Sequence, residues 1–358
     1  MIRKTLAAGC LALAAFGFAP VAEAQNLRIA LREDPDILDP TLSRTYVGRI
    51  VYMGFCDKLF DINERLEPVP QLATGFRWED PTTLIITLRQ GVRFHDNEMM
   101  TAESVVYSLN RHLTMQGSFR RGEMGAITAI EVVDPQTVRI RLAEPNASFI
   151  ATLTDRAGMI ISPRAAEAAG RNFGNRPVCA GPMRFVERVA QERIVLERFP
   201  EYWDAGRIHF NRVTYIPIPD NTVRLANLQS GAVEFGERME PDDMRAIQRN
   251  RNLRGVAVEE LGWQSIQFNV NNGPRSEPLR DARVRRAFEL AIDRAAINQV
   301  VYEGMFTPTR QPVPPASGFH LQNFAPPARD VTRARALLRE AGITTPLQLE
   351  LTVPNNPD

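Results

Sequence analysis

The sequence has few of the residues, and none of the motifs, that mark catalytic centres. Its 358 residues include three cysteines, three tryptophans and four histidines. The motifs G-x-S-x-G, H-E-x-x-H, G-x-G-x-x-G and the Walker loop are all absent. We therefore predict that the protein is not an enzyme and uses no cofactor. An exported hydrolase stays open as an alternative, because a catalytic triad can assemble from residues far apart in sequence.

An excess of charge of one sign is also lacking. The 43 basic residues are almost all arginine, since Lys4 and Lys58 are the only lysines, and they are scattered among 42 acidic residues. Nucleic-acid binding requires a basic surface that acids do not balance. We attribute the arginine excess to a bias in composition and predict no nucleic-acid partner.

Only the N-terminus has a long apolar run, and it has the three parts of a signal peptide. Arg3 and Lys4 form a basic region, residues 6–21 are apolar, and Ala22-Glu23-Ala24 fits the A-x-A cleavage pattern. The apolar run is too short and too weakly apolar for a membrane-spanning helix. We predict that residues 1–24, including Cys10, are removed and that the mature protein is exported to the periplasm.

Residues 82–111 contain the most informative pattern. Thr82 to Thr87 has the β-branched composition of a strand, and Gly91 permits a tight turn. Thr101 is a plausible N-cap, with Glu103 placed to favour the helix N-terminus. The helix that follows carries one apolar stripe, made of Ala102, Val105, Val106, Leu109 and Leu113.

This segment resembles the marker region of family 5 periplasmic solute-binding proteins, the peptide- and nickel-binding receptors of ABC transporters. The residues that carry the resemblance are Gly91, Phe94, His95, Asp96, Thr101, Ala102, Glu103, Val105, Ser108, Asn110 and Arg111. The resemblance implies an α/β, two-lobed periplasmic-binding-protein fold (class II-like) with an extra α/β domain inserted in the first lobe.

Two later blocks, residues 177–203 and 281–294, resemble the same family. The layout implied is a first lobe from residues 25–44 plus 178–262, an inserted accessory domain at 45–177 and a second lobe at 263–358. Family members usually continue much further, so we expect the second lobe to be incomplete in this chain. Within it we predict strands at 264–269 and 347–353 and helices at 281–293 and 330–341.

Two cysteines remain in the predicted mature chain, Cys56 and Cys179. An even number in an exported protein is compatible with a disulfide, and equally with two separate buried thiols. In the family layout both residues would flank the same lobe boundary, which favours the disulfide.

The resemblance also implies ligand-binding positions. Arg44 and Tyr46 occupy the loop that touches peptide in oligopeptide-binding relatives. Trp263, Ser265 and Gln267 alternate along the predicted crossover strand, so one face of it could line the cleft. For each of these residues the alternative is a solvated loop or core position.

A metal site is not predicted. His95, Asp96, Glu98 and His112 lie in one region, and a branch of the family binds nickel complexes, but solvated or capping roles fit these residues better than ligation. The sequence thus predicts a monomeric ABC-importer receptor that captures a small solute, most simply a di- or oligopeptide, and delivers it to an inner-membrane permease. The resemblance alone equally permits a nickel chelate, an opine or glutathione.

Overall fold

The computed structural model of the protein describes residues 26–259 and 262–353. The predicted signal peptide lies outside these residues. Within them, no helix is long and apolar enough to cross a bilayer.

The described residues contain the following strands: β1 Asn26–Leu31, β2 Phe60–Ile62, β3 Pro68–Pro70, β4 Ala73–Asp80, β5 Thr83–Leu88, β6 Ile127–Asp134, β7 Thr137–Leu142, β8 Met183–Val189, β9 Arg193–Arg198, β10 Arg212–Pro217 and β11 Phe235–Gly236. The helices are α1 Tyr46–Phe55, α2 Ala102–Thr114, α3 Arg120–Glu123, α4 Phe149–Thr152, α5 Pro163–Ala169, α6 Asn221–Ser230, α7 Pro241–Arg249, α8 Glu277–Arg280, α9 Ala282–Ala291, α10 Arg294–Val301 and α11 Val331–Glu340.

A five-stranded sheet is built from two distant parts of the chain. Its order is β11-β1-β10-β9-β8, and β1 runs parallel to both β10 and β11. Helix α1 buries Val51 and Phe55 in the core of this sheet, beside Leu196 and Tyr215. The predicted domain boundaries assign α1 to the inserted domain; those boundaries remain a prediction.

A second, antiparallel sheet has the order β4-β5-β7-β6 and packs with α2. Its central strand β5 buries Leu84 and Ile86 completely, and α2 contributes Val105 and Leu109 to the same core. Helix α2 begins where the sequence predicts: Thr101 is the N-cap, and its backbone N–H donates to Ser104 Oγ at 3.3 Å. A hydroxyl at that point satisfies one of the donors that a helix N-terminus leaves unpaired.

The last residue of the marker segment joins α2 to the loop after β1. Arg111 donates from Nη1 to Asp39 Oδ1 at 2.8 Å and from Nη2 to Asp39 Oδ2 at 2.6 Å. Asp39 is fully buried, and the backbone N–H of Thr41 also donates to its carboxylate. This bidentate geometry is the strong form of an arginine–carboxylate pair. The marker segment therefore has a structural role here.

The structure joins Cys56 and Cys179 in a disulfide across a separation of 123 residues. Both cysteines are almost completely buried. The bond ties the end of α1 to the loop that enters β8.

The two strands predicted after residue 262 are wrong. Residues 264–269 and 347–353 form no strand, because within the described ranges neither segment pairs with a neighbouring strand. The predicted helices are confirmed: α9 and α11 pack on each other, burying Leu290 and Leu337. Helices α7 and α10 were not predicted from the sequence.

Candidate functional site

The candidate site lies at the edge of the five-stranded sheet where its parallel strands end. The segments that follow β1, β10 and β11 are residues 32–45, 218–220 and 237–240. Since the three strands are parallel, their carboxyl ends meet at the same edge. In open α/β sheets ligands bind in the crevice outside these ends. We call this edge, with its three segments and the start of α1, the rim.

A hydrogen-bond network around Asp36 holds the first rim segment, which carries the predicted residue Arg44. Asp36 Oδ2 accepts from the Arg44 backbone N–H at 2.8 Å, and Oδ1 accepts from the hydroxyls of Ser43 and Thr45 at 3.0 Å each. Burial acts to raise the pKa of Asp36, but these hydrogen bonds outweigh it, so its pKa is lowered. Asp36 is therefore ionised at neutral pH and fixes the backbone of the segment.

Two buried arginines fix the same segment from its other side. Arg120 donates to the Ser43 carbonyl at 3.1 Å. Arg156 donates to the Ser43 carbonyl at 3.3 Å and to the Thr45 carbonyl at 3.1 Å. Both guanidinium groups come from residues far along the chain, and both are more than nine-tenths buried. The segment thus donates to the Asp36 carboxylate and accepts from two buried guanidinium groups, so this part of the rim is preorganised.

The structure places Arg44 and Tyr46 at the surface of the rim. Arg44 is exposed, and its guanidinium carbon lies 5.2 Å from the centre of the Phe119 ring. Tyr46 is 38% exposed, and its ring contacts Arg49 at 5.6 Å and Arg238 at 5.1 Å. The contact with Arg238 connects the start of α1 to the segment after β11.

The segment after β11 contributes a buried carboxylate beside this contact. Glu237 is 9% exposed and lies 3.9 Å from Arg238 Nε. Burial raises the pKa of Glu237 to about 7, although Arg238, the Arg32 backbone N–H and the positive charge of Arg224 oppose the shift. Beside it, Arg32 pairs with Glu240 at 3.1 Å.

Arg224 supports this segment from a buried position. It is fully buried in α6 and donates to the carbonyls of Ile218 at 2.8 Å and Arg238 at 3.2 Å. One guanidinium thus connects the segment after β10 to the segment after β11. The rim can present charged and aromatic groups to a small solute without rearranging its backbone.

The other three predicted site residues lie on an irregular, exposed segment. Trp263 is 53% exposed, and Ser265 and Gln267 are exposed as well. The alternation that we predicted for them depended on a strand, and that strand is not formed. Within this segment Gln264 accepts a hydrogen bond from Tyr302. These positions remain predicted ligand contacts.

Of the two histidines considered for metal binding, His112 is fully buried, so the solvated or capping role predicted for it is wrong, and His95 is half-buried. His112 Nδ1 lies 2.8 Å from Thr41 Oγ1, and His95 Nε2 lies 3.0 Å from the Gly181 carbonyl. Burial lowers the pKa of each to about 4. Asp96 instead accepts from the Ser162 hydroxyl at 2.7 Å. Across residues 26–259 and 262–353, no three His, Cys, Asp or Glu side chains cluster closely enough to hold a metal ion.

A shallow depression of about 490 Å³ lies away from the rim, between the start of α2 and α5. Across it Arg164 pairs with Glu98 at 2.6 Å and with Asp96 at 3.4 Å. Its charged groups already bind one another, so we do not treat it as the site.

Comparison with known proteins identifies the family. The sequence profile of the bacterial extracellular solute-binding proteins, family 5 (middle), matches residues 67–358. The chain belongs to this family. Among its curated relatives, the glutathione-binding protein GsiB of Salmonella typhi is 32% identical over 338 residues, covering 92% of this chain. GsiB of Escherichia coli O6:K15:H31 (strain 536) is 29% identical over 321 residues, covering 89% of this chain and 62% of that protein.

Solved structures of binding proteins share the fold of this family 5 chain. The binding protein AgaA of A. tumefaciens R10, in complex with agropinic acid, is 26% identical with a TM-score of 0.78, over 89% of this chain and 64% of that one. The periplasmic binding protein DppA of Helicobacter pylori, in complex with the peptide STSA, is 24% identical with a TM-score of 0.77, over 89% and 66%. The predicted periplasmic-binding-protein fold is confirmed. The chain spans 65% of the length of the Salmonella relative.

Sequence reasoning missed Glu237 and Arg238, which the rim of this family 5 chain brings beside Tyr46. A usable signal was present in the sequence, because residues 233–235 alternate as a short strand does, and Glu237 and Arg238 follow after one glycine. Ligands bind at the carboxyl ends of parallel strands, and this rule points to the same segment.

Proposed function

We propose that this protein is the periplasmic substrate-binding component of an ABC importer. In this proposal it captures a small solute at the rim, between two lobes, and delivers it to an inner-membrane permease as a monomer. Its membership of family 5 carries the proposal, and the preorganised rim supports it. Fixed donors and aromatic groups give a site its specificity, because they lose little entropy on binding.

The solute class that we propose is a di- or oligopeptide. The curated relatives bind glutathione, which is itself a small peptide, and the DppA structure contains a peptide. Glutathione is therefore the first compound to test. A nickel chelate and an opine are the competing classes, because structures of similar fold contain Ni(L-His) and agropinic acid.

A thermal-shift screen of the full chain tests this proposal. A solute that binds only the folded state stabilises it by about 2.7 kcal/mol at one hundred times its dissociation constant, which raises the melting temperature by a few degrees. We expect a rise with glutathione or a short peptide. A rise with Ni(L-His) alone would move the assignment to a nickel chelate, and no rise with any compound would contradict the receptor assignment.

Turnover tests the hydrolase alternative. The full chain is incubated with a peptide library, and the products are analysed by mass spectrometry. We expect the peptides to remain intact, because a receptor of the proposed kind binds its solute without breaking a covalent bond. Catalytic accumulation of cleaved peptides would overturn the receptor proposal.

A further inference from the structure

Arg238 is held in a backbone conformation that residues other than glycine rarely adopt. Its φ is +50°, in the left-handed region where glycine is favoured. A glycine would occupy this conformation without strain, so the arginine side chain is held here at a conformational cost. Such strain persists where the surrounding structure fixes it, and it is common at ligand-binding positions.

The surroundings of Arg238 do fix it. On one side, the Glu237 backbone N–H donates to the Ala30 carbonyl at 3.0 Å, which ties the segment to β1. The carbonyl of Arg238 itself accepts from the buried Arg224. On the other side, α7 begins at Pro241, directly after the cap residue Glu240 that pairs with Arg32.

The guanidinium of Arg238 is presented at the rim. Its side chain is 30% exposed, and its guanidinium carbon lies 5.1 Å from the centre of the Tyr46 ring. An arginine packed on an aromatic ring keeps its planar fork of N–H donors, and such a fork matches the two oxygens of a carboxylate. Arg44, two residues before Tyr46, is presented on the Phe119 ring in a similar way.

We propose that Arg238, held against the ring of Tyr46, binds a carboxylate group of the solute. The inference rests on the proposed receptor function and makes it more specific: the solute carries at least one free carboxylate, and this group lies at the carboxyl end of β11. Tyr46 acts as a positioning residue that orients the guanidinium.

The test uses the full chain and two pairs of probes. One pair is glutathione and its diethyl ester; the other is the peptide Ser-Thr-Ser-Ala with a free or an amidated C-terminus. Affinities are measured by calorimetry for the wild type and for Arg238→Gly, Arg238→Lys and Tyr46→Leu. Arg238→Gly is the sharpest variant, since glycine keeps the backbone conformation and the carbonyl that Arg224 binds.

We expect Arg238→Gly to weaken binding of the free acid about 10- to 100-fold, as is typical for the loss of a charge-assisted hydrogen bond. Its effect on the ester or amide should be less than threefold. Arg238→Lys should retain part of the affinity, and Tyr46→Leu should lose less than Arg238→Gly. Arg207→Gln is the control, because its side chain is 83% exposed and pairs only locally, with Asp204; it should bind as the wild type does.

Several outcomes would overturn the inference while leaving the receptor function intact. They are equal binding of acid and ester by the wild type, an equal loss of both in Arg238→Gly, and a solute from the thermal-shift screen that has no carboxylate. If the folded wild type bound no solute at all, the proposed function itself would fail. Melting temperatures of all variants establish that each is folded.

Discussion

Residues 26–250 and residues 262–353 differ in how their hydrophobic side chains are used. The first part, the sheet region, contains two large buried clusters. The second, the helical region, has one small cluster and leaves many large apolar side chains exposed, among them Val300 at 81% and Phe319 at 74%. All the described strands lie in the sheet region.

The difference shows which structures local sequence can specify. Each of the helices α9, α10 and α11 begins at an aspartate whose side chain accepts a backbone N–H from the first turn. A helix satisfies most of its hydrogen bonds internally, and such caps are local. A strand needs a neighbouring strand to pair with, and within the described residues the β-like segments 264–269 and 347–353 pair with none.

The largest effect should come from breaking the buried pair that the marker segment forms in the sheet region. In Arg111→Met, Asp39 stays buried without its ionic partner, and we expect a loss of about 3–5 kcal/mol of unfolding free energy. Urea unfolding measures it, and hydrogen exchange should show the loss in the sheet region only. The exposed Arg207→Gln should cost under about 0.5 kcal/mol. Equal costs for the two variants would contradict the structural role of the marker segment.

Removal of the disulfide should have the next largest effect. We expect the double variant Cys56→Ala, Cys179→Ala to lose about 2–5 kcal/mol, because a closed loop of this length restricts the unfolded chain. The measurement is urea unfolding with and without a reductant. The reductant should destabilise the wild type and leave the double variant unchanged. Two free thiols in the unfolded wild type, found without reductant, would contradict the bond.

A smaller, pH-dependent effect is expected at Glu237. Its pKa is raised from 4.5 to about 7 in the folded state, so between these values the folded protein holds more protons than the unfolded chain. Ionisation of this carboxyl therefore lowers the unfolding free energy of the protein as pH rises through this window. The unfolding free energy of Glu237→Gln, relative to that of the wild type, should therefore rise by about 1–3 kcal/mol from about pH 5 to about pH 8. Urea unfolding at both pH values measures it, and a difference that does not change with pH would contradict the raised pKa.

The smallest effect should be the same in both regions. Asp220 caps α6 in the sheet region and Asp330 caps α11 in the helical region, each by accepting a backbone N–H in the first turn. Since caps are local, Asp220→Ala and Asp330→Ala should each cost about 1 kcal/mol. Local hydrogen exchange of α6 and α11 measures the two costs. A negligible cost in α11 alone would show that the helical region is not held by its caps.

These contrasts also explain what the sequence could and could not predict. Helix α2 with its cap Thr101, strand β5 and helix α9 follow from periodicity and caps within a few residues. Arg44 and Tyr46 were located by resemblance. The contacts that fix them were not, because the donors Arg120 and Arg156 lie 77 and 113 residues from Ser43. No pattern within a window of the sequence contains such a contact. Likewise, nothing local indicated that His112 is fully buried.

The two guanidinium groups on the Ser43 carbonyl have a consequence for how the proposed receptor would change during evolution. A substitution that shifted α3, or the turn at residue 156, would move Arg44 and Tyr46 without altering either residue. The solute selectivity of the proposed receptor would then change through residues that never contact the solute. A sequence comparison restricted to the residues of the rim would miss the cause of that change.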